Sequence, residues 1–433
     1  MDRHAMSRLI DWKRNPRRKP LILNGARQVG KTWLLREFGA QHFENVAYIS
    51  LDNSAVARAI FDTDPNPHRI IREISILTGR SIKAESTLII FDEIQAAPRA
   101  ITALKYFCEE APEYAICAAG SLLGISIHEG SGYPVGKVNT INLYPLSFRE
   151  YLDANDNRAL RELLDSQETE SINTFGPKAI SLLREYYVVG GMPSAVSAFI
   201  EGASLQETRE IQLQLLQDYT RDFSKHAPGR VFPRMIELWD SIPSHLSQEN
   251  KKLIFGRVRH GARSKNYEES LIWLTQAGFI HQVPRVTKAA LPLSAYNDHR
   301  AFKAFLLDVG LLGALADLPP ESLLDGNRLF SEFKGALTEQ YVCQQLISDC
   351  SVDPYYWSAD NSSGEIDFLT QKDGKIYAIE VKAEENLRAK SLRFFKEKNP
   401  EVHALRFSLS GYRDQEWMRN IPLYALGNRN LWS

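Results

Sequence analysis

One octapeptide constrains this chain more than any other feature of it. Gly25-Ala26-Arg27-Gln28-Val29-Gly30-Lys31-Thr32 satisfies every fixed position of G-x-x-x-x-G-K-[ST]. It follows the apolar run Leu21-Ile22-Leu23 and precedes a helical pattern with Leu34, Leu35 and Phe38 apolar and Gly39 as a stop. That is the strand–loop–helix context a phosphate-binding loop needs. Glycines let successive backbone N–H groups converge on phosphate oxygens, and the helix N-terminus adds the positive end of its dipole. Lys31 would reach the β- and γ-phosphates, and the Thr32 hydroxyl would ligate Mg²⁺. The expected nucleotide-binding residues are therefore Gly25, Ala26, Arg27, Gln28, Val29, Gly30, Lys31, Thr32 and Trp33.

A second element supports the first. Thr87-Leu88-Ile89-Ile90-Phe91 reads as a strand buried on both faces, as in a parallel sheet, and it ends in Asp92-Glu93. A carboxylate at the end of such a strand holds the Mg²⁺ shell in P-loop enzymes, which assigns Asp92 to the metal and Glu93 to the attacking water. Tyr114-Ala-Ile-Cys-Ala-Ala-Gly-Ser121 is a third strand pattern. Its last residue, Ser121, is either a γ-phosphate sensor or a turn serine. No N-K-x-D element for reading guanine is present, which favours ATP over GTP. The expected cofactors are ATP and Mg²⁺.

The 433 residues carry 52 Lys+Arg against 53 Asp+Glu, so no global field draws the protein to nucleic acid or membrane, and any such surface is a local patch. At roughly 100–200 residues per domain, two to four domains are expected. Four scattered cysteines without a C-x-x-C pair argue against a disulfide framework and a structural zinc, and point to reduced thiols. The charged start and the lack of a long apolar segment point to a cytoplasmic protein without a membrane span.

Residues 148–224 read as helical. Leu160, Leu163 and Leu164 have the i, i+3, i+4 spacing of a buried face, and Leu213, Leu215, Leu216 and Tyr219 read similarly. Residues 231–310 alternate short helices with two strand patterns, 279–286 and 301–307. The stretch 251–265 holds six Lys/Arg and no acid. Together these suggest a winged helix whose basic face either contacts phosphates or is simply solvated.

Near the carboxyl terminus two alternating patterns flank Lys372-Asp373-Gly374-Lys375, and Asp-Gly between such patterns predicts a two-residue type I′ hairpin. Pairing Lys372 with Lys375 sets Asp367 opposite Glu380 and Glu365 opposite Lys382, all on one face. Opposed carboxylates destabilise a sheet unless something offsets their repulsion. A divalent cation held by Asp367 and Glu380 does so, with Lys382 on the attacking water or scissile phosphate. The competing readings are a solvated sheet face, a nucleic-acid-binding domain without catalysis, and a protein-interaction relic.

These motifs carry two resemblances. GARQVGKT, LIIFDEIQ, AAGSLLG, LYPLSFREYL and GGMP resemble prokaryotic AAA-type ATPases related to the STAND branch of P-loop NTPases. The resemblance implies that Ser121 is sensor 1, that Gly191 and Pro193 lie by the nucleotide base, and that self-association is plausible. Arg149 and Arg221 are the candidate arginine fingers. D…E-x-K after a helix bearing Glu339 resembles the PD-(D/E)XK, restriction-endonuclease-like fold, with Tyr355-Tyr356-Trp357-Ser358 as the preceding strand and Lys390 and Arg393 on the following helix. Glu339, Asp367, Glu380 and Lys382 join Lys31 and Glu93 as expected catalytic residues.

The expected architecture is α/β: a P-loop ATPase domain (1–147), a helical lid (148–225), a winged-helix-like domain (226–325) and a nuclease-like α/β domain (326–433). The implied function is an ATPase coupled to a Mg²⁺-dependent nuclease-like domain acting on nucleic acid, DNA before RNA. The alternative is a STAND-like, ATP-dependent switch or assembly protein with a silent nuclease fold.

Overall fold

The computed structural model describes residues 1–120, 134–324, 331–359, 364–383 and 389–432. Two compact units emerge, one of residues 2–144 with 276–278, the other of residues 145–275 with 279–433. The expected boundary at 147/148 lies close to the observed division. That at 225/226 falls inside the second unit, and that at 325/326 lies outside the described residues.

The first unit is built on five parallel strands, β1 (Leu21–Asn24), β2 (Asn45–Ser50), β3 (Thr87–Asp92), β4 (Ala115–Gly120) and β5 (Asn139–Asn142), in the order β2-β3-β4-β1-β5. β1, β3 and β4 are buried at every position, which is why each reads as an unbroken run rather than an alternation. Helix Lys31–His42 buries Leu34, Leu35 and Phe38, and helix Pro98–Glu110 buries Ile101, Leu104 and Phe107. Because β1 lies between β4 and β5, the loop leaving β1 opens at the carboxyl edge of the sheet, where α/β folds place their ligands.

The second unit opens with six helices, from Phe148–Ala154 to Leu205–His226. Two begin with full capping boxes, Ser147 with Glu150 and Ser204 with Glu207, each satisfying two orphan N–H groups. Along Leu205–His226 the buried stripe is Gln212, Leu215, Leu216, Tyr219 and Phe223. Leu213, expected on that face, is instead 40% exposed. It stands about 100° round the helix from Gln212, outside the stripe.

Eight further strands form one mixed sheet: β6 (Ile280–Val286), β7 (Asn297–Leu306), β8 (Tyr355–Ser358), β9 (Glu365–Lys372), β10 (Lys375–Val381), β11 (His403–Ser408), β12 (Arg413–Asp414) and β13 (Arg419–Pro422). Their order is β12-β13-β11-β10-β9-β8-β6-β7. The β6–β7 hairpin, read from sequence as part of a separate winged helix, joins this sheet through Arg285 paired with Tyr356. The β9–β10 turn has φ 49° at Asp373 and 74° at Gly374, and pairing runs from Lys372–Lys375 to Phe368–Ile379. This is the two-residue hairpin and register that the Asp-Gly dipeptide implies.

The helix Ser331–Ser348 is fastened to the end of β7 by glutamines rather than by apolar contact alone. Gln340 accepts from the Leu306 N–H at 2.9 Å and donates to the Leu306 carbonyl at 2.6 Å. Gln344 accepts from Val309 N–H at 2.9 Å. Buried amides so fully paired fix the helix in register, and that sets where Glu339 falls.

Candidate functional site

Among the described residues each unit holds one cluster of the residues expected to be functional. In the first, Gly30 adopts φ 94° as the residue before helix Lys31–His42, and Gln28 adopts φ 66°. A Cβ on Gly25 would lie 2.3 Å from the Leu143 carbonyl, so this position needs glycine for close approach. Lys31 is buried, and its ammonium donates to the carbonyls of Gly25 at 2.9 Å and Ala26 at 2.7 Å. Burial pulls its pKa down to about 8, with Glu93 and Asp92 opposing the shift. Ala26 and Val29 are buried, Arg27 is partly so, and Trp33 is 44% exposed on the helix.

Asp92, 5% exposed, gathers three donors. Thr32 Oγ1 donates at 2.9 and 3.1 Å to its two oxygens, Tyr48 Oη donates at 2.7 Å, and the Glu93 N–H donates at 3.1 Å. Burial and the Asp92 carboxylate push the Tyr48 hydroxyl up to about 12, which keeps it a donor. Arg36 lies 3.8 Å over the Tyr48 ring. Glu93 sits at φ 51°, a conformation a non-glycine residue holds only when its surroundings enforce it, and its carboxylate is held by Gln95. Thr32 and Asp92 together form a hard oxygen donor set that suits Mg²⁺. Ser121 lies outside the described residues.

Gly191 and Pro193 belong to the second unit, and packing there accounts for the glycines. A Cβ on Gly190 would meet Asp308 Oδ1 at 2.3 Å, and one on Gly191 would meet the Leu146 carbonyl at 2.1 Å. Gly191 N–H donates to Asp308 Oδ2 at 2.6 Å, and Pro193 starts helix Pro193–Ile200. Arg149 is committed to Asp165 and Asp349, so it is a structural ion-pair arginine, whereas Arg221 is 71% exposed beside Asp218.

The second site lies where helix Ser331–Ser348 crosses the β7–β10 part of the sheet. It contains Glu339, Asp367, Glu380 and Lys382, the four residues expected from sequence, and also Lys251, Lys303 and Glu365. Lys251 Nζ is 2.6 Å from Glu339 Oε1. Lys303, fully buried, is 2.5 Å from Glu365 Oε1 and 3.7 Å from Glu339 Oε2. Lys382 is 2.7 Å from Glu380. Asp367 Oδ2 accepts from the Val381 N–H at 2.7 Å. Glu365, expected to face Lys382, thus pairs with Lys303.

The electrostatics follow from this interleaving. Burial, reinforced by Glu339, pushes Asp367 up to about 7. Burial also works against the Glu339 carboxylate, but Lys251 and Lys303 outweigh it and hold its pKa below the usual value. For Lys303 burial opposes the charge, and Glu339, Glu365 and Asp367 reverse that and raise its pKa. Among the described residues no three His, Cys, Asp or Glu side chains converge as a ready-made metal site. Two buried carboxylate oxygens, Glu339 Oε2 and Glu380 Oε2, nevertheless lack a hydrogen-bond partner. Glu339 Oε2 has only the 3.7 Å contact with Lys303, and a buried acceptor such as Glu380 Oε2 is what a hard cation would satisfy, so the donor chemistry fits Mg²⁺.

Sequence reasoning missed Tyr48, Lys251 and Lys303. Lys251 begins the basic run 251–265, which is expected to contact phosphates or water, and the structure turns it inward onto Glu339. Lys303 did leave a signal: it shares the phase of Ala301 and Phe305 along β7, all three buried.

Residues 17–152 match a family model described as an AAA domain. Residues 180–322 and 334–426 match two domains of unknown function, DUF8612 and DUF4143. The first unit has the fold and loop of a P-loop ATPase. No curated protein matches the chain significantly. Similar solved structures include the Walker-type ATPase PABY2304 of Pyrococcus abyssi, at 15% identity and TM-score 0.45, covering 73% of this chain and 95% of that one. Cdc6p of Pyrobaculum aerophilum is similar at 13% identity and TM-score 0.25, covering 75% and 94%. C. elegans PCH-2 is similar at 13% identity and TM-score 0.29, covering 45% and 59%. At these distances none carries an argument about substrate. Among the described residues no helix is long and apolar enough to cross a membrane.

Proposed function

We propose that this chain binds and hydrolyses ATP at the first site and couples that cycle to a Mg²⁺-dependent, nuclease-like second site acting on nucleic acid, DNA ahead of RNA. The observation that carries the ATPase half is Lys31, a buried ammonium whose partners are two backbone carbonyls. A triphosphate offers it anionic oxygens instead, and charge-assisted bonds are roughly twice as strong as neutral ones. Thr32 and Asp92 would hold Mg²⁺, which neutralises charge on the β- and γ-phosphates. Glu93 would orient the attacking water. Arg221, exposed, is the remaining candidate for an arginine donated between copies.

At the second site Asp367 and Glu380 would hold a divalent cation, which supplies Lewis-acid activation of a phosphodiester. Lys382, already on Glu380, would stabilise charge developing on the phosphate, and Glu339 would add an oxygen donor. The supporting observation is Glu380 Oε2, a buried carboxylate oxygen without a hydrogen-bond partner, beside Glu339 Oε2, which has only the 3.7 Å contact with Lys303. The test is cleavage of labelled duplex, single-stranded and branched DNA with Mg²⁺ or Mn²⁺, with and without ATP, beside Glu380→Ala. Metal-dependent cleavage lost in the variant supports the reading. Full cleavage in Glu380→Ala removes the assigned site.

A specific observation favours a second reading. Lys251 and Lys303 already offset the acids from within, as expected of a STAND-like switch with a silent nuclease fold. That reading predicts ATP turnover and nucleotide-dependent self-association with no cleavage of any DNA.

A further inference from the structure

We propose that Lys251 is an exchangeable internal cation of the carboxylate cluster, so that its contact with Glu339 and divalent-metal binding there exclude one another. The inference rests on the metal-site reading above.

The two lysines that touch Glu339 are held differently. Lys303 lies within β7 at 0% exposure, between Glu365 and Glu339, and cannot leave without unpairing the strand. Lys251 arrives from outside the nuclease-like region, on the segment joining helices Phe232–Leu246 and Phe255–Val258. That segment is a strap anchored on one side of Lys251. Lys252 forms an isolated antiparallel bridge with Lys303, Leu253 N–H donates to the Phe302 carbonyl at 2.9 Å, and His245 closes the base of the loop on the Ile254 carbonyl at 3.1 Å. On the other side, residues 247–250 are exposed. The Lys251 side chain itself retains 13% exposure, against 0% for Lys303. A flexible four-carbon stem in that position can swing its ammonium into water while the anchored backbone stays in place.

Charge and coordination point the same way. With Lys251 in place, the four carboxylates Glu339, Glu365, Asp367 and Glu380 face three ammonium groups, one negative charge in excess when all are ionised. With Lys251 withdrawn the excess is two, which matches a divalent cation. The atom Lys251 occupies, Glu339 Oε1, belongs to the carboxylate whose other oxygen has no hydrogen-bond partner. Losing the ammonium therefore frees Glu339 Oε1, beside an Oε2 whose one cation is the more distant Lys303 at 3.7 Å, and the buried Glu380 Oε2 supplies another oxygen. An ammonium on Glu339 and a divalent ion on the same carboxylate would repel each other at close range. The middle region of the chain would thus set metal access to the cluster.

The test is Mn²⁺ binding to the full-length, nucleotide-free protein, followed by electron paramagnetic resonance. An Asp92→Asn background removes the amino-terminal metal position. Lys251→Met in that background should bind Mn²⁺ about tenfold tighter than its parent, a gain that Lys251→Arg does not share and that added Glu339→Gln abolishes. Equal or weaker binding by Lys251→Met, with the parent still binding, overturns the inference and leaves the metal-site reading standing. No binding by either protein overturns both. Should Lys251→Met fail to fold, the unsubstituted protein answers by amine acylation read by mass spectrometry. Lys251 labelling should rise several-fold at saturating Mn²⁺ while Lys303 stays protected, and unchanged Lys251 labelling with Mn²⁺ bound contradicts the proposal.

Discussion

At the amino-terminal loop a single buried lysine rests on two backbone carbonyls, whereas at the carboxylate cluster three lysines are distributed among four acids. Burial depresses the pKa of Lys31 but cannot do the same to Lys303, because the acids around Lys303 more than offset it. The difference separates a lysine held by backbone carbonyls, whose neighbouring acids Asp92 and Glu93 only partly offset burial, from lysines paired directly with carboxylates. The first site is built to receive an anion. The second is close to self-sufficient, and a cation enters it only by replacing one already there.

The largest effect that sharpens this contrast is expected at Lys303. Lys303→Met leaves Glu365 and Glu339 without their shared partner and should cost about 3–5 kcal/mol by denaturant titration, because a buried charge loses its compensation. Adding Glu365→Gln should restore part of that loss. A Lys303→Met protein as stable as the parent would break the claim of internal compensation. Lys31→Ala should instead leave stability nearly untouched and lower ATP affinity about 100-fold, at the upper end for bonds to charged groups. A change in affinity below threefold would show that the loop does not work through this ammonium.

A smaller, pH-dependent effect is expected at Asp367. Its folded pKa is raised from 3.8 to about 7, so the folded state binds the proton more tightly than the unfolded chain. Its contribution is favourable at low pH and is lost as pH rises from about 4 through 7. Asp367→Asn, which stays neutral, should therefore gain stability over the parent between pH 5 and pH 8, with Tm rising by about 2–4 °C for each kcal/mol relieved. A difference that does not change with pH would contradict the shift. The smallest effect is expected for Tyr48→Phe, which removes one of the donors on Asp92. It should cost about 0.5–1.5 kcal/mol of stability and change the Mg²⁺ requirement of ATP turnover, without altering nucleotide affinity in the absence of metal.

How much was legible from sequence divides along the same line. The loop is a contiguous motif whose spacing is its chemistry, so residues 25–32 and the strand ending at Asp92 could be read directly. The β9–β10 hairpin was legible too, because Asp373 and Gly374 both need positive φ and the turn then sets every opposed pair. The lysine half of the cluster was not. Lys251 and Lys303 reach Glu339 from 88 and 36 positions away in the chain, and no local pattern marks a contact of that kind. A basic run such as 251–265 ordinarily faces water. Only the packing of helix Ser331–Ser348 on β7 through Gln340 makes Glu339 the partner of an inward lysine.

The contrast between the sites is tested most directly by proton uptake on ATP binding, measured by calorimetry near pH 8.5 in buffers of different ionisation enthalpy. With the free-state Lys31 pKa at about 8, ATP should draw up to about three-quarters of a proton onto the protein, and its affinity should fall as pH rises further. Uptake should vanish in Lys31→Ala. Binding of ATP by the unsubstituted protein with no proton uptake between pH 7.5 and 9 would mean that Lys31 is fully charged before the nucleotide arrives, and the account of Lys31 as a buried amine that Asp92 and Glu93 only partly offset would be wrong.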